Sequence, residues 1–279
     1  MKEDALLVPD LIDKIYKNYE VDNKRPKKRF SRLGASGIGK DCLRAVFYSW
    51  RGFTQSKFPG RIQRLFQTGH LQEDRIVADL ERAGLEVWAA TSDGRQYTFL
   101  DESGHLIAKV DGVVRGVFPG SKEKMLLEIK TMSDNAFSKL EKGGIYKQDH
   151  LYQIHTGMWF LGFRFGLYVV LNKNDEGYHI EVVERQKRII SDLQNRVKTL
   201  ILGYSSAPPR ISDDATDFGC KWCNHRSVCM EVTAPVKSCR SCSFVRPINN
   251  GEWLCEKHQI SLNMTEQVEG CQDYTMFGK

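Results

Sequence analysis

The chain has 279 residues, enough for one large domain or two small ones. Its 41% hydrophobic and 27% charged residues exclude wholesale disorder, and no apolar run is long enough to span a membrane. The net charge is +6, but Lys24–Arg64 alone holds twelve Lys or Arg against one acid, Asp41, leaving −5 for the remainder.

In chain order, Met1-Lys2-Glu3-Asp4 turns acidic before any apolar stretch, which is not how a signal peptide begins. A reducing cytoplasm is therefore expected, with the eight cysteines as metal ligands or free thiols. Leu6, Leu7, Leu11, Ile12, Ile15 and Tyr19 recur at helical spacing and predict an opening amphipathic helix. The basic segment follows, with Lys24, Lys27, Lys28, Arg29 and Arg32 as candidate phosphate contacts. Phe30, Phe47, Tyr48, Trp50, Phe53 and Phe58 lie among the basic residues. A charge run alone reads as a solvated arm; interleaved aromatics tilt it toward a nucleic-acid partner.

A Gly/Ser turn at Gly34–Gly39 leads into a helix through Trp50, and Arg61–Ala83 reads as a long helix ended by Gly84. Glu86–Ala90, Tyr97–Leu100, Leu106–Val117 and Lys124–Met132 read as strands separated by Gly-containing turns. Asp149–Leu161 reads as a helix, Arg164–Asn172 with Tyr178–Glu184 as a hairpin, and Arg185–Leu202 as a helix. The order predicts an α/β core with helical additions. After the break at Pro208-Pro209 the chain is Cys-rich and poor in periodic elements, as expected of segments held by metals.

Two strands carry charge where apolar residues dominate. Asp111 interrupts Lys109–Val114, while Met125–Lys130 places Glu128 and Lys130 on one face and Leu127 and Ile129 on the other. Buried charges are paired or bind metals, so Asp111 and Glu128 are candidate oxygen ligands for Mg²⁺ or Mn²⁺. Lys130 is then placed to orient water and steady phosphate charge. The competing reading is a structural Glu–Lys pair on an exposed edge strand. Upstream, Gly69-His70-Leu71-Gln72-Glu73 sets His70 and Glu73 three residues apart on a helix, and downstream Tyr152-Gln153 lies on another.

This succession of motifs, G-H-x-x-E, Asp, E-x-K and a helical Gln, resembles the RecB-like branch of the PD-(D/E)XK nucleases from about residue 35 to 230. The resemblance implies a restriction-endonuclease-like α/β core, a mixed central sheet flanked by helices. It makes His70, Asp111, Glu128 and the Ile129 carbonyl metal ligands, Lys130 the catalytic lysine, and Glu73 a helper of a second metal or of the helix. Val110 stands where the superfamily has proline, and the motif's Tyr, four residues after Gln153, is here Gly157. Gln148 and Tyr152 keep that spacing, but Gln153 is preferred because Ile154, Met158 and Leu161 then form a buried stripe.

Cys220-x2-Cys223-x5-Cys229 is one ligand short of a tetrahedral set, and Cys42 is the only cysteine outside the C-terminal third. That pattern resembles the iron–sulfur subgroup of the same branch, which includes CRISPR-associated exonucleases and nuclease subunits of recombination helicases. It implies a [4Fe–4S] cluster on Cys42, Cys220, Cys223 and Cys229, and DNA-repair, recombination or CRISPR-type protein partners. The alternative is zinc with His225 as fourth ligand. The cluster would close a loop of about 180 residues, an entropy effect of roughly 5 kcal/mol. Farther on, Cys239-x2-Cys242, Cys255 and Cys271 resemble a zinc ribbon, with His258 competing for a fourth position.

Residues 1–234 are thus expected to form the nuclease domain and 235–279 a zinc-ribbon-like module. The expected function is metal-dependent hydrolysis of DNA, by an exonuclease rather than an endonuclease, on single strands or free ends. The alternatives are a structure-selective endonuclease and a non-catalytic iron–sulfur and zinc DNA-binding module. Gly34–Lys40 also fits the spacing of a phosphate-binding loop, but Asp41 follows where Ser or Thr is needed for Mg²⁺.

Overall fold

The structure is a computed structural model that describes residues 9–22, 32–54 and 58–278. Its helices and strands are, in order, α1 (Pro9–Asp22), β1 (Leu33–Gly34), α2 (Ala35–Ile38), α3 (Leu43–Trp50), α4 (Gly60–Arg82), β2 (Glu86–Trp88), β3 (Thr98–Leu100), β4 (Leu106–Lys109) and β5 (Gly112–Arg115). There follow β6 (Lys124–Met132), α5 (Asp134–Gly143), α6 (Gln148–Leu161), β7 (Phe165–Asn172), β8 (Tyr178–Glu184) and α7 (Lys187–Leu202). The last are α8 (Phe218–Lys221), α9 (Arg226–Cys229), β9 (Val245–Ile248), β10 (Glu252–Cys255), β11 (Ile260–Ser261) and α10 (Met264–Val268). Among the described residues no helix is long and apolar enough to cross a membrane.

The centre is a mixed five-stranded sheet in the order β2-β5-β6-β7-β8. β6 and β7 run parallel, joined by α5 and α6, and the other neighbours are antiparallel. The apolar runs of β6 and β7 are covered on both faces, as interior strands require. Leu126, Tyr168 and Val170 meet Ile154 and Met158 of α6, whereas Leu127, Ile129, Leu167 and Val169 meet Ile76 and Leu80 of α4. Gly157 lets α6 come close, since a β-carbon there would lie 2.8 Å from Leu126.

Three expectations need correction. β6 lies between β5 and β7, so Glu128 and Lys130 are not on an edge strand. The predicted strand Leu106–Val117 is two strands in two sheets: β4 belongs to a small sheet ordered β1-β4-β3, and β5 to the large one. Val110-Asp111 is the crossing point, where Gly112 passes so near β2 that a β-carbon would sit 2.8 Å from the Trp88 carbonyl. Finally, of the aromatics interleaved with the basic residues, Phe47, Tyr48, Trp50 and Phe53 are buried in the core and so do not support a nucleic-acid surface.

The C-terminal strands form a third sheet, ordered β11-β10-β9. Val245, Trp253, Cys255 and Leu262 share one buried cluster with Phe47 and Trp50 of α3 and Leu193 and Val197 of α7. The C-terminal sheet therefore buries apolar surface against α3 and α7.

Candidate active site and cysteine centres

Glu128 and Lys130 lie on the α6 face of β6, and the Lys130 ammonium touches Glu128 Oε1. Asp111, freed from strand pairing by the crossing of sheets, accepts the Ile129 backbone N–H through Oδ2 at 2.8 Å. α4 brings His70 and Glu73, with Nδ1 to Oε2 at 3.4 Å. His70, Glu73, Asp111, Lys130 and Gln153 of α6 border one open cleft, and Glu128, 1% exposed, is buried in contact with Lys130. Gln148 instead donates to the Gly39 carbonyl, and Tyr152 to Asp192, so the structure turns Gln153 toward the cleft.

Charge in this cleft is unbalanced. Burial pushes the Glu128 carboxyl up to about 8, against the pull of Lys130 and with help from Asp111 and Glu73. Burial also raises Asp111, and burial together with Asp111 raises Glu73. Burial pulls Lys130 down, but Glu128, Asp111 and Glu73 hold it above the ordinary lysine range. Three carboxyl groups, all held toward their neutral forms, gather near one ammonium, and a further cation among them would favour their charged forms. Ile129 and Asp111 border the same space, while His70 stands exposed at its mouth.

The sequence reading missed the layer behind these groups. Tyr168 is the register partner of Glu128 on β7, and its hydroxyl meets His150 Nδ1 at 2.6 Å. Burial and the Lys130 charge bring His150 down to about 4, so it remains neutral at pH 7. The available signal was helical spacing: His150 and Gln153 are three residues apart on α6.

Cys42, at the N-cap of α3, borders one cavity with Cys220, Cys223 and Cys229. The chemistry of this donor set is uniform. His225 borders it as well, but its ring nitrogens are engaged by Ser49 Oγ at 2.8 Å and Thr54 Oγ1 at 2.7 Å. His225 is therefore committed, which counts against the four-ligand zinc alternative. Arg44, Arg210 and Arg226 line the same cavity and suit thiolate charge. Burial, followed by Asp217 and the other three thiols, raises the Cys220 thiol.

Cys239, Cys242, Cys255 and Cys271 border a second cavity with His258 and Asp273. Burial and the three neighbouring thiols push Cys239 up to about 11. Among the described residues, only His258, Cys271 and Asp273 form a trio whose ligand atoms all lie within 4.8 Å of one another.

Lys24, Lys27, Lys28 and Arg29 lie outside the described residues. Arg32 is exposed, with Nε donating to the Gly104 carbonyl at 2.5 Å. The Gly34–Lys40 segment turns carbonyls toward its neighbours, Ile38 accepting from Arg196 at 2.8 Å and Gly39 from Gln148 at 2.8 Å. A phosphate cradle needs amides instead.

No protein-family profile matches the chain, and no curated protein does. Among solved structures it is similar to an alkaline exonuclease from Laribacter hongkongensis, at 18% identity over 67% of this chain and 91% of that one, with TM-score 0.42. The same exonuclease in complex with dAMP gives 17% identity, the same coverages and TM-score 0.45. SSO0001 gives 13% identity over 81% of this chain and 98% of its own, with TM-score 0.48.

Proposed function

We propose that the chain is a divalent-metal-dependent deoxyribonuclease of the RecB-like kind that its motifs resemble. The observation that carries this reading is the meeting of Glu73, Asp111, Lys130 and Gln153 at one cleft, with Glu128 buried against Lys130. Asp111, Glu128, His70 and the Ile129 carbonyl would hold Mg²⁺ or Mn²⁺, with Glu73 alongside. When bound, the ion supplies charge neutralisation at the phosphate and activation of the attacking water.

The protein's own groups supply the rest. Lys130 stays protonated beside Glu128 and steadies phosphate charge. Gln153 offers an amide to water or a phosphate oxygen from the opposite wall. The Ile129 N–H fixes one oxygen of Asp111 and so aims the carboxylate.

Single strands or free ends are the favoured substrate. Phe58 and Phe66, 43% and 49% exposed, meet edge to face at 5.2 Å beside α4, the helix that carries His70. Arg61 and Arg64 lie on the same helix, a mixture of rings and cations suited to unpaired bases and backbone.

The same reading assigns a [4Fe–4S] cluster to Cys42, Cys220, Cys223 and Cys229. Its support is the all-thiol cavity, the occupied His225 nitrogens and the three lining arginines. The deciding experiment is digestion of end-labelled, end-blocked and circular DNA with Mn²⁺. An exonuclease degrades only DNA with accessible ends, an endonuclease opens the circle, and binding without cleavage refutes the proposal.

A further inference from the structure

Four thiols border one cavity where the C-terminal sheet joins the core, and two buried guanidiniums, Arg51 and Arg240, lie in the same region. Cys239 and Cys242 flank a short 3-10 turn, Cys255 ends β10, and Cys271 follows α10. Cys239 and Cys271, far apart in sequence, border the same cavity. His258 stands behind Cys271, with Nε2 3.9 Å from its sulfur and 3.2 Å from Asp273 Oδ2. Asp273 in turn accepts from Lys257 at 2.9 Å, so His258 and its carboxylate belong to a surface network.

Arg51 lies on the inner side, just past α3, and is completely buried. Its Nη2 donates to the carbonyls of Cys242 at 2.8 Å and Val245 at 3.1 Å, and its Nε to Arg240 at 2.8 Å. Its Nη1 donates to the Tyr204 carbonyl at 3.1 Å. The rings of Phe277, Phe47 and Trp253 surround it at 4.5, 5.5 and 5.6 Å. All four acceptors are neutral carbonyls, and no carboxylate among the described residues forms an ion pair with it. A guanidinium in such a place carries a large desolvation cost unless an anionic centre lies near. Four thiolates around one Zn²⁺ leave a net negative centre, and Cys242 belongs to the candidate set.

We propose that Cys239, Cys242, Cys255 and Cys271 hold zinc as a tetrathiolate, and that the buried Arg51 guanidinium is its counter-charge. The metal is then linked electrostatically to α3 as well as to its own ligands. This inference is independent of the nuclease reading, because none of its residues borders the acidic cleft.

The test uses the full chain purified without oxygen, with zinc counted separately from iron. One zinc per chain is expected, and Cys271→Ser, at an exposed position, should lose it. Replacement by Co²⁺ should give the spectrum of a four-sulfur tetrahedral site; a three-sulfur, one-nitrogen spectrum would overturn the ligand set in favour of His258. In competition with a chromogenic chelator, Arg51→Gln should weaken zinc by roughly 10- to 100-fold, with affinity recovered in Arg51→Lys. Equal zinc affinity in Arg51→Gln and wild type refutes the counter-charge. Should the Gln variant not fold, the wild type decides: removing zinc must lower the thermal midpoint of the whole chain, followed by tryptophan fluorescence. An unchanged midpoint, or purified protein that neither contains zinc nor takes up cobalt through sulfur, overturns the proposal.

Discussion

Glu128 occupies a position where a carboxylate is hard to keep charged, and that cost is measurable. It is 1% exposed, and burial raises it from 4.5 to about 8 even with Lys130 in contact. At 1.36 kcal/mol per pKa unit, the rise corresponds to on the order of 5 kcal/mol. Its folded pKa lies above its unfolded value, so its favourable contribution is complete below about pH 4.5 and is lost as pH climbs toward 8. Glu128→Gln keeps an acceptor for Lys130 and removes the titration. Without divalent metal, the variant should therefore melt above the wild type at pH 8, by on the order of 10 °C. The gap should narrow at pH 5. Adding Mn²⁺ should stabilise the wild type and leave the variant unmoved, because the ion stabilises what it binds. DNA cleavage by the variant should be lost. Thermal melts at pH 5 and 8, with and without added Mn²⁺ and with no chelator treatment, provide the check. A variant no more stable than wild type at pH 8, or equally stabilised by Mn²⁺, would show that Glu128 is not a buried metal ligand.

Three further outcomes are expected. Lys130→Ala and Asp111→Ala should each lower cleavage by roughly 100-fold or more while leaving DNA affinity nearly intact, and undiminished turnover in both would remove them from the active site. Anaerobically purified wild type should be brown, with about four irons and matching sulfide, and Cys223→Ala colourless and poorly folded; zinc without iron in the wild type would refute the cluster. Reversing Lys24, Lys27, Lys28 and Arg29 to Glu should weaken DNA binding and flatten its salt dependence, each lost phosphate contact removing about 0.7 to 0.9 from the log–log slope. An unchanged slope in that variant would mark the segment as a solvated arm.

The elements legible in the sequence were those whose side-chain period matches their burial. β6 and β7 read clearly because both faces are covered, and α4 because Ile76 and Leu80 recur on one side. The break in Leu106–Val117 was hidden, since a strand that leaves one sheet for another keeps its apolar alternation. Asp111-Gly112 was the signal, a turn dipeptide inside an apolar run. Composition also misled around Trp50-Arg51-Gly52-Phe53. Counting charge placed Arg51 in the basic window Lys24–Arg64, yet a cation among aromatics follows the logic already applied to Glu128: if buried, it needs a partner. The partners, Cys242 and Val245, lie about 190 residues away, where local pattern carries no information.

That distance also bears on the acidic cleft. The turn before β4 is gripped by the C-terminal sheet: the Gly251 N–H donates to the Ser103 carbonyl at 2.8 Å, and His105 Nε2 meets the Ile248 carbonyl at 2.8 Å. Gly104 and Gly251 touch so closely that a β-carbon on Gly104 would fall 2.5 Å from Asn250. Burial holds His105 down to about 4, hence neutral at pH 7, and its ring stands edge-on to Trp50 and Trp253. Asp111 follows only six residues later, roughly 20 Å along an extended chain. One short strand thus has the C-terminal sheet at its start and a proposed metal ligand just beyond its end. The C-terminal sheet fixes where β4 begins, and so helps to set where the crossing into β5 delivers the Asp111 carboxylate.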